Sequence, residues 1–160
     1  MGVSGAGKTT VGSLLARELR WEFFDGDDFH PAANVAKMAR NVPLDDGDRA
    51  AWLDALAALV DRLVREQRSA VLACSALRAS HRTRLRGRHG DAEVRIVYLR
   101  GDPELIRRRL ERRHGHFAKV GLLDSQLATL EVPQNALTVD VDAPPPTIVE
   151  RIRAALDPAR

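Results

Sequence analysis

The sequence predicts an α/β domain in three layers, a parallel sheet with helices packed on both faces. Three observations carry that prediction. Short apolar runs alternate with amphipathic stretches along the chain, the pattern of strands joined by right-handed helical crossovers. At 160 residues the chain has the size of one domain, 1–160, with no internal repeat to divide it. Its first ten residues, MGVSGAGKTT, fit GxxxxGK[ST], a phosphate-cradling loop that opens a helix.

Each element has its own signal. Val11, Leu14, Leu15 and Leu19 recur at helical spacing, so the helix behind the loop spans Lys8 to about Arg20 with its N-terminus toward the phosphates. Trp21 to Phe24 reads as a buried strand ending in Asp25, which sets DGDDFHP at a carboxyl end, where open α/β sheets carry ligands. Pro31 starts a helix through about Arg40, and Pro43 ends that segment. Asp48 is expected to cap a helix reaching about Gln67, with Trp52, Leu53, Leu56, Leu59, Val60 and Leu63 as its apolar stripe. Ala70 to Cys74 is continuously apolar, as in a strand covered on both faces. An arginine-rich helix from about Ala79 to Arg88 leads to a strand over Val94 to Leu99. Asp102, Pro103 and Glu104 supply the cap, first-turn proline and first-turn acid of the next helix. Its stripe gives out in RRRLERRHGHF, where Gly115 fits either a helix end or a mobile flap. A helix over about Leu122 to Leu130, a strand over Leu137 to Val141 and a helix over Thr147 to Leu156 complete the order.

Composition narrows the function classes. No apolar run approaches 18 residues and no signal-peptide core is present, so the expectation is a cytoplasmic protein with no membrane partner. The single cysteine, Cys74, excludes a disulfide framework and reads as a small buried apolar residue. The net charge of +3 comes from arginines scattered through amphipathic patterns, without an aromatic-studded basic face; nucleic acid is not an expected partner, whereas small anions are.

The chemistry concentrates in a few places. In the loop Gly2, Val3, Ser4, Gly5, Ala6, Gly7, Lys8, Thr9 and Thr10, backbone N–H groups face phosphates, Lys8 reaches the outer phosphates and the Thr9 hydroxyl suits Mg²⁺. Asp25, Asp27 and Asp28 crowd a strand end, where like charges repel unless cations or hydroxyls lie between them. If the segment is extended, Asp25 and Asp27 share a face, one for the hydrated Mg²⁺ and one for a substrate hydroxyl. His30 either bonds a ligand or caps its own turn, and Asn34, Lys37 and Met38 share a helical face. Ser75 and Arg78 follow a strand end, and an arginine there has the fork that grips a carboxylate. Arg109 and Arg113 stack four residues apart before Gly115, where a closing element would deliver positive charge to a transferring phosphoryl group.

GVSGAGKTT, DGDDFHPAANVAKM, PLDDGDRAAWL, CSALR, HRTRLR, YLRGDPELIRRRLERRHGHF, LLDSQLATLE with Pro133, and VDVD together resemble the small P-loop gluconokinases over essentially the whole chain. The loop alone is general, but the DGDDFHP block combined with CSAL, GHF and SQLATLE is specific to that family. The resemblance implies a nucleoside-monophosphate-kinase-like P-loop fold with a mobile lid at about 113–121. It implies transfer of phosphate from ATP to the 6-hydroxyl of D-gluconate, with Mg²⁺, in an enzyme whose relatives are often homodimers. Residue by residue, Gly2 to Thr10 and Arg109 would bind ATP, and Thr9 and Asp25 would hold Mg²⁺. Asp27 would orient or deprotonate the hydroxyl, with Lys8 and Arg113 as its catalytic companions. His30, Arg78, Arg82 and His116 would hold gluconate, and Glu131 to Asn135 would approach the adenine.

Two departures accompany the resemblance. His81 and Thr83 flank Arg82 where the family tends to have an aromatic and an acid, and only Met1 precedes the loop where the family has several apolar residues. The expectation is therefore a shortened first strand. Two other readings stand beside the first: a kinase of another small polyol acid such as shikimate, and a nucleotide-binding module without catalysis.

Overall fold

The computed structural model describes residues 1–40, 42, 44–112 and 117–156, with the backbone alone for 117–121. Its α-helices are α1 (Lys8–Leu19), α2 (Ala32–Ala39), α3 (Asp46–Arg65), α4 (Ala79–Arg86), α5 (Pro103–Glu111), α6 (Phe117–Thr129) and α7 (Pro145–Leu156). The strands are β1 (Glu22–Asp25), β2 (Ala70–Ala73), β3 (Val97–Arg100) and β4 (Leu137–Asp140), and a 3₁₀ turn covers Gly26–Phe29.

β1 runs parallel to β2, from Glu22 opposite Ala70 to Asp25 opposite Ala73; β3 runs parallel to β4, from Val97 opposite Leu137 to Arg100 opposite Asp140. Every strand is followed by a helix, the connection that parallel pairing requires. The sheet is two separate ladders rather than the single one expected. Met1 and Gly2 bridge them: the Gly2 N–H donates to the Ser75 carbonyl (3.3 Å), the Leu99 N–H to the Met1 carbonyl (3.0 Å) and the Met1 amine to the Val97 carbonyl (2.5 Å). Two residues satisfy few ladder positions, and an apolar cavity of about 680 Å³, lined by Val11, Leu15, Val71, Leu72 and Val97 among others, lies beside them.

Alternate side chains of β2 enter two cores, which accounts for the three layers. Val71 packs against the cluster built from Val11 and Leu15 of α1, Leu99 of β3 and Ile148, Val149 and Ile152 of α7. Leu72 packs against Trp52, Leu53 and Leu56 of α3, with Cys74 and Ala76.

The predicted elements all exist, but several ends move. β3 begins at Val97 rather than Val94, because a turn uses the preceding backbone: the Val94 N–H donates to Gly90 and its carbonyl accepts from Arg86. α6 begins five residues before the expected Leu122, and α7 two before Thr147. The cap of α3 is Asp45, not Asp48. The Asp45 carboxylate accepts the Asp48 N–H (2.8 Å) while the Asp48 carboxylate accepts the Asp45 N–H (3.0 Å), a reciprocal capping box with Asp48 at the third helical position.

Lys37 completes this knot by donating to both Asp48 oxygens at 2.7 Å. The ammonium and the Asp45 amide hold the Asp48 carboxyl below the ordinary aspartate value, and the same pairing raises the Lys37 ammonium above its ordinary one. A depressed folded-state value means that the unfolded chain takes up the proton first. The stabilisation is therefore complete above the unfolded value of about 3.9 and is lost as pH falls through the lower folded one. Melting temperatures of wild type and Asp48→Asn are expected to differ at pH 7 and to converge as the solution is acidified below about pH 4.

Candidate active site

The loop and β1 deliver their residues to the same end of the sheet. Gly7 caps α1 in a left-handed conformation (φ 90°) with no side chain on the helix's first amides, so those N–H groups are open to an anion. Gly5 also has positive φ (83°), and a Cβ there would lie 2.9 Å from Leu110 and 3.0 Å from Ile106, so α5 presses directly on the loop. The Lys8 ammonium reaches back to the Val3 carbonyl (3.1 Å), arching over the cradle. Burial lowers its pKa, while Asp27, Cys74 and Asp25 act in the opposite direction, so both acids lie in the field of the ammonium.

The Thr9 hydroxyl donates to Asp25 Oδ2 at 2.7 Å, and Asp25 Oδ1 accepts the Asp27 N–H at 3.1 Å. Asp25 thus joins the start of α1 to the turn that carries Asp27. This corrects the expectation of an extended segment: Asp27 lies in the 3₁₀ turn, and Asp25 caps that turn instead of alternating with Asp27 along a strand. Gly26 makes the geometry possible, because a Cβ would stand 2.9 Å from the Ala73 carbonyl of β2. A hydroxyl beside a carboxylate is the hard-oxygen pair that Mg²⁺ accepts when phosphates and waters supply its remaining ligands. Among the described residues no group of three or more His, Cys, Asp or Glu is placed to hold a metal ion.

The wall beyond Asp27 is built from α2 and α3. His30 stacks on Trp52 with ring centroids 4.6 Å apart and planes 10° from parallel, and the Trp52 indole N–H donates to the Gly26 carbonyl (2.7 Å). Burial lowers the His30 pKa, favouring the neutral ring. Asn34, buried, donates to the Asp48 carbonyl (2.8 Å) and lies 3.4 Å from His30 Nδ1. Lys37 faces Asp48 and is structural, and Met38 is exposed. Trp52 escaped the sequence reading because it lies on the apolar stripe of α3 and reads there as core.

Opposite lies the loop after β2. Arg78, half-buried, donates to Asp46 at 3.1 Å. Arg82 is buried, and its Nη1 donates to the carbonyls of Ala76 (3.1 Å) and Leu77 (2.9 Å). Through these two bonds it holds the loop, including Ala76 at φ 42°, a conformation that costs a non-glycine residue energy. Glu131 fastens the same loop to the start of α4. Its carboxylate accepts the Ala79 N–H (2.7 Å) at the start of α4, and its own N–H donates to Leu77 (3.0 Å). Arg109 donates to the Val141 carbonyl at 2.6 Å, which ties α5 to the end of β4. Arg113 and His116 lie outside the described residues, as does the first part of the expected lid; 117–121 form the opening turns of α6.

Residues 1–133 match a family model described as an AAA domain. A gluconokinase of Gluconobacter oxydans (strain 621H) is 45% identical over 159 residues, covering 95% of this chain and 86% of that protein. The chain belongs to the gluconokinase family. Within the family, the thermosensitive gluconokinase of Escherichia coli (strain K12) is 40% identical across 98% of this chain and 84% of its own length. The crystal structure of a gluconokinase from Sinorhizobium meliloti 1021 superposes with a TM-score of 0.86 at 38% identity, over 99% of this chain and 89% of that one. The fold is thus that of the P-loop kinases. The phosphate loop, the Asp25–Asp27 turn and the His30–Trp52 wall occur here in a gluconokinase framework.

Proposed function

We propose that the chain transfers the terminal phosphoryl group of ATP to the 6-hydroxyl of D-gluconate, giving 6-phospho-D-gluconate and ADP. The observation that carries this reading is the convergence of Thr9, Asp25 and Asp27 through two hydrogen bonds at the mouth of the loop, with both acids in the field of Lys8. The kinship with gluconokinases identifies the acceptor.

The loop Gly2 to Thr10 cradles the phosphates, with the first amides of α1 facing them, and Lys8 offers its charge where charge gathers on the outer phosphate. Thr9 and Asp25 would hold Mg²⁺, which would supply positive charge to the phosphate oxygens. Asp27 accepts the proton of the 6-hydroxyl and orients its oxygen for in-line attack. His30, kept neutral and flat against Trp52, hydrogen-bonds the polyol, and Arg78 exchanges Asp46 for the gluconate carboxylate. Arg82 supports the loop from which Arg78 reaches. Arg113 and His116 belong to a lid over 113–121 that closes on both substrates, and Arg109, on the helix before it, faces ATP. A cytoplasmic location and pairing of two copies, as in many gluconokinases, belong to the proposal. Among the described residues no helix is long and apolar enough to cross a membrane.

A panel of acceptors tests the assignment. With Mg²⁺ and ATP, D-gluconate is expected to give a single phosphomonoester at the 6-position by ³¹P NMR, with shikimate and aldoses far behind. Equal turnover of shikimate, or phosphate at another hydroxyl, contradicts it.

A further inference from the structure

One contact to the phosphate loop comes from far along the chain. The Ser4 N–H, in the middle of the loop, donates to the side-chain carbonyl Oε1 of Gln126 at 2.6 Å, across 122 residues of sequence. Gln126 lies near the end of α6, one turn beyond Leu123, which is fully buried in the same cluster as Val3, Ala6 and Leu110. α6 is also fastened to α5, whose Arg107 donates to Asp124 at 2.9 Å. α5 in turn presses Ile106 and Leu110 against Gly5. The outer side of the loop is therefore clamped by a helical hairpin at adjacent residues, Ser4 and Gly5, while Lys8 and the open amides of α1 occupy the inner side.

The clamp has a physical purpose. A loop with glycines at 2, 5 and 7 has many conformations available, and few of them align its amides on one anion. Each tether that fixes the loop beforehand removes ordering cost from the binding step. The hydrophobic contacts at Gly5 are non-directional, whereas the Gln126 bond fixes the orientation of one peptide plane.

We propose that Gln126 is a positioning residue for nucleotide binding: its side-chain carbonyl sets the Ser4 peptide and so holds the phosphate loop in its anion-binding form. The inference rests on the reading of this loop as the ATP cradle. It separates from a merely structural role because phosphates use the loop's amides and adenosine does not.

The experiment compares wild type with Gln126→Met, which keeps length and packing but removes the acceptor, and with Gln126→Glu, which keeps an acceptor oxygen at the same reach. Binding of a non-hydrolysable ATP analogue and of adenosine is measured by calorimetry, and exchange of the Ser4 amide by NMR. Gln126→Met is expected to weaken the analogue about tenfold, the upper part of one hydrogen bond's usual worth. Adenosine binding stays within about twofold, and the Ser4 amide exchanges faster; Gln126→Glu restores its protection. Equal losses for analogue and adenosine, or an unchanged affinity ratio, overturn the inference, as does an unchanged Ser4 exchange rate. Failure of wild type itself to bind the analogue overturns the ATP reading, and the inference with it.

Discussion

Asp27→Asn is expected to lower kcat by about 10²–10⁴-fold, the usual contribution of a positioned general base. The substitution is nearly isosteric, and the turn is held by groups it does not touch. Asp25 accepts the residue-27 backbone N–H, and Trp52 binds the Gly26 carbonyl. The backbone should therefore stay in place, while the amide neither accepts a proton nor carries charge toward Lys8. Since Asp27 is the leading attractive influence on the buried Lys8 ammonium, its loss also lowers the Lys8 pKa further. KM for gluconate and affinity for an ATP analogue are expected to change by less than about threefold, the pattern of an interaction made in the transition state. A variant retaining more than about a tenth of wild-type kcat at unchanged KM removes Asp27 from the proton path.

Trp52→Ala is expected to cost about 3–5 kcal/mol of stability, read from the urea midpoint at constant slope. Trp52 is only 3% exposed and packs in the smaller core with Leu53, Leu56 and Cys74, so the truncation leaves a large void. It also strips the Gly26 carbonyl of its donor at a place where a backbone turn has been forced against β2. His30 loses the ring it stacks on, so KM for gluconate should rise along with the loss of stability. Trp52→Phe separates the two parts: it keeps an aromatic face for His30 and lacks the N–H, and should cost about 1–3 kcal/mol. A Trp52→Ala protein as stable as wild type would contradict the packing described here.

Much of this arrangement is legible in the sequence, and the exceptions share one cause. The phosphate loop and its helix follow from glycine spacing and an apolar stripe, because backbone chemistry and local periodicity decide them. The strand that ends at Asp25 is legible for the same reason. What pattern reading misses depends on partners distant in sequence: the two-ladder sheet bridged by Met1 and Gly2, Arg82 turned under its own loop, Glu131 capping α4, and Gln126 on Ser4. Asp48 was displaced as a cap because Asp45 and Asp48 satisfy each other, and nothing in the local pattern ranks one aspartate above the other. The Asp25–Asp27 pair was legible as chemistry but not as geometry, since a 3₁₀ turn and an extended segment both bring two acids toward one site.

The most direct measurement is gluconate-dependent ADP formation by the full chain with Mg²⁺ and ATP, followed by coupled assay in wild type and Lys8→Ala. The account predicts ADP release that saturates with gluconate, is absent without it, and falls by about 10²–10³-fold in Lys8→Ala, where one preorganised positive contact to the transferring group is lost. A folded, ATP-binding wild-type protein that releases no more ADP with gluconate than without it would contradict the account.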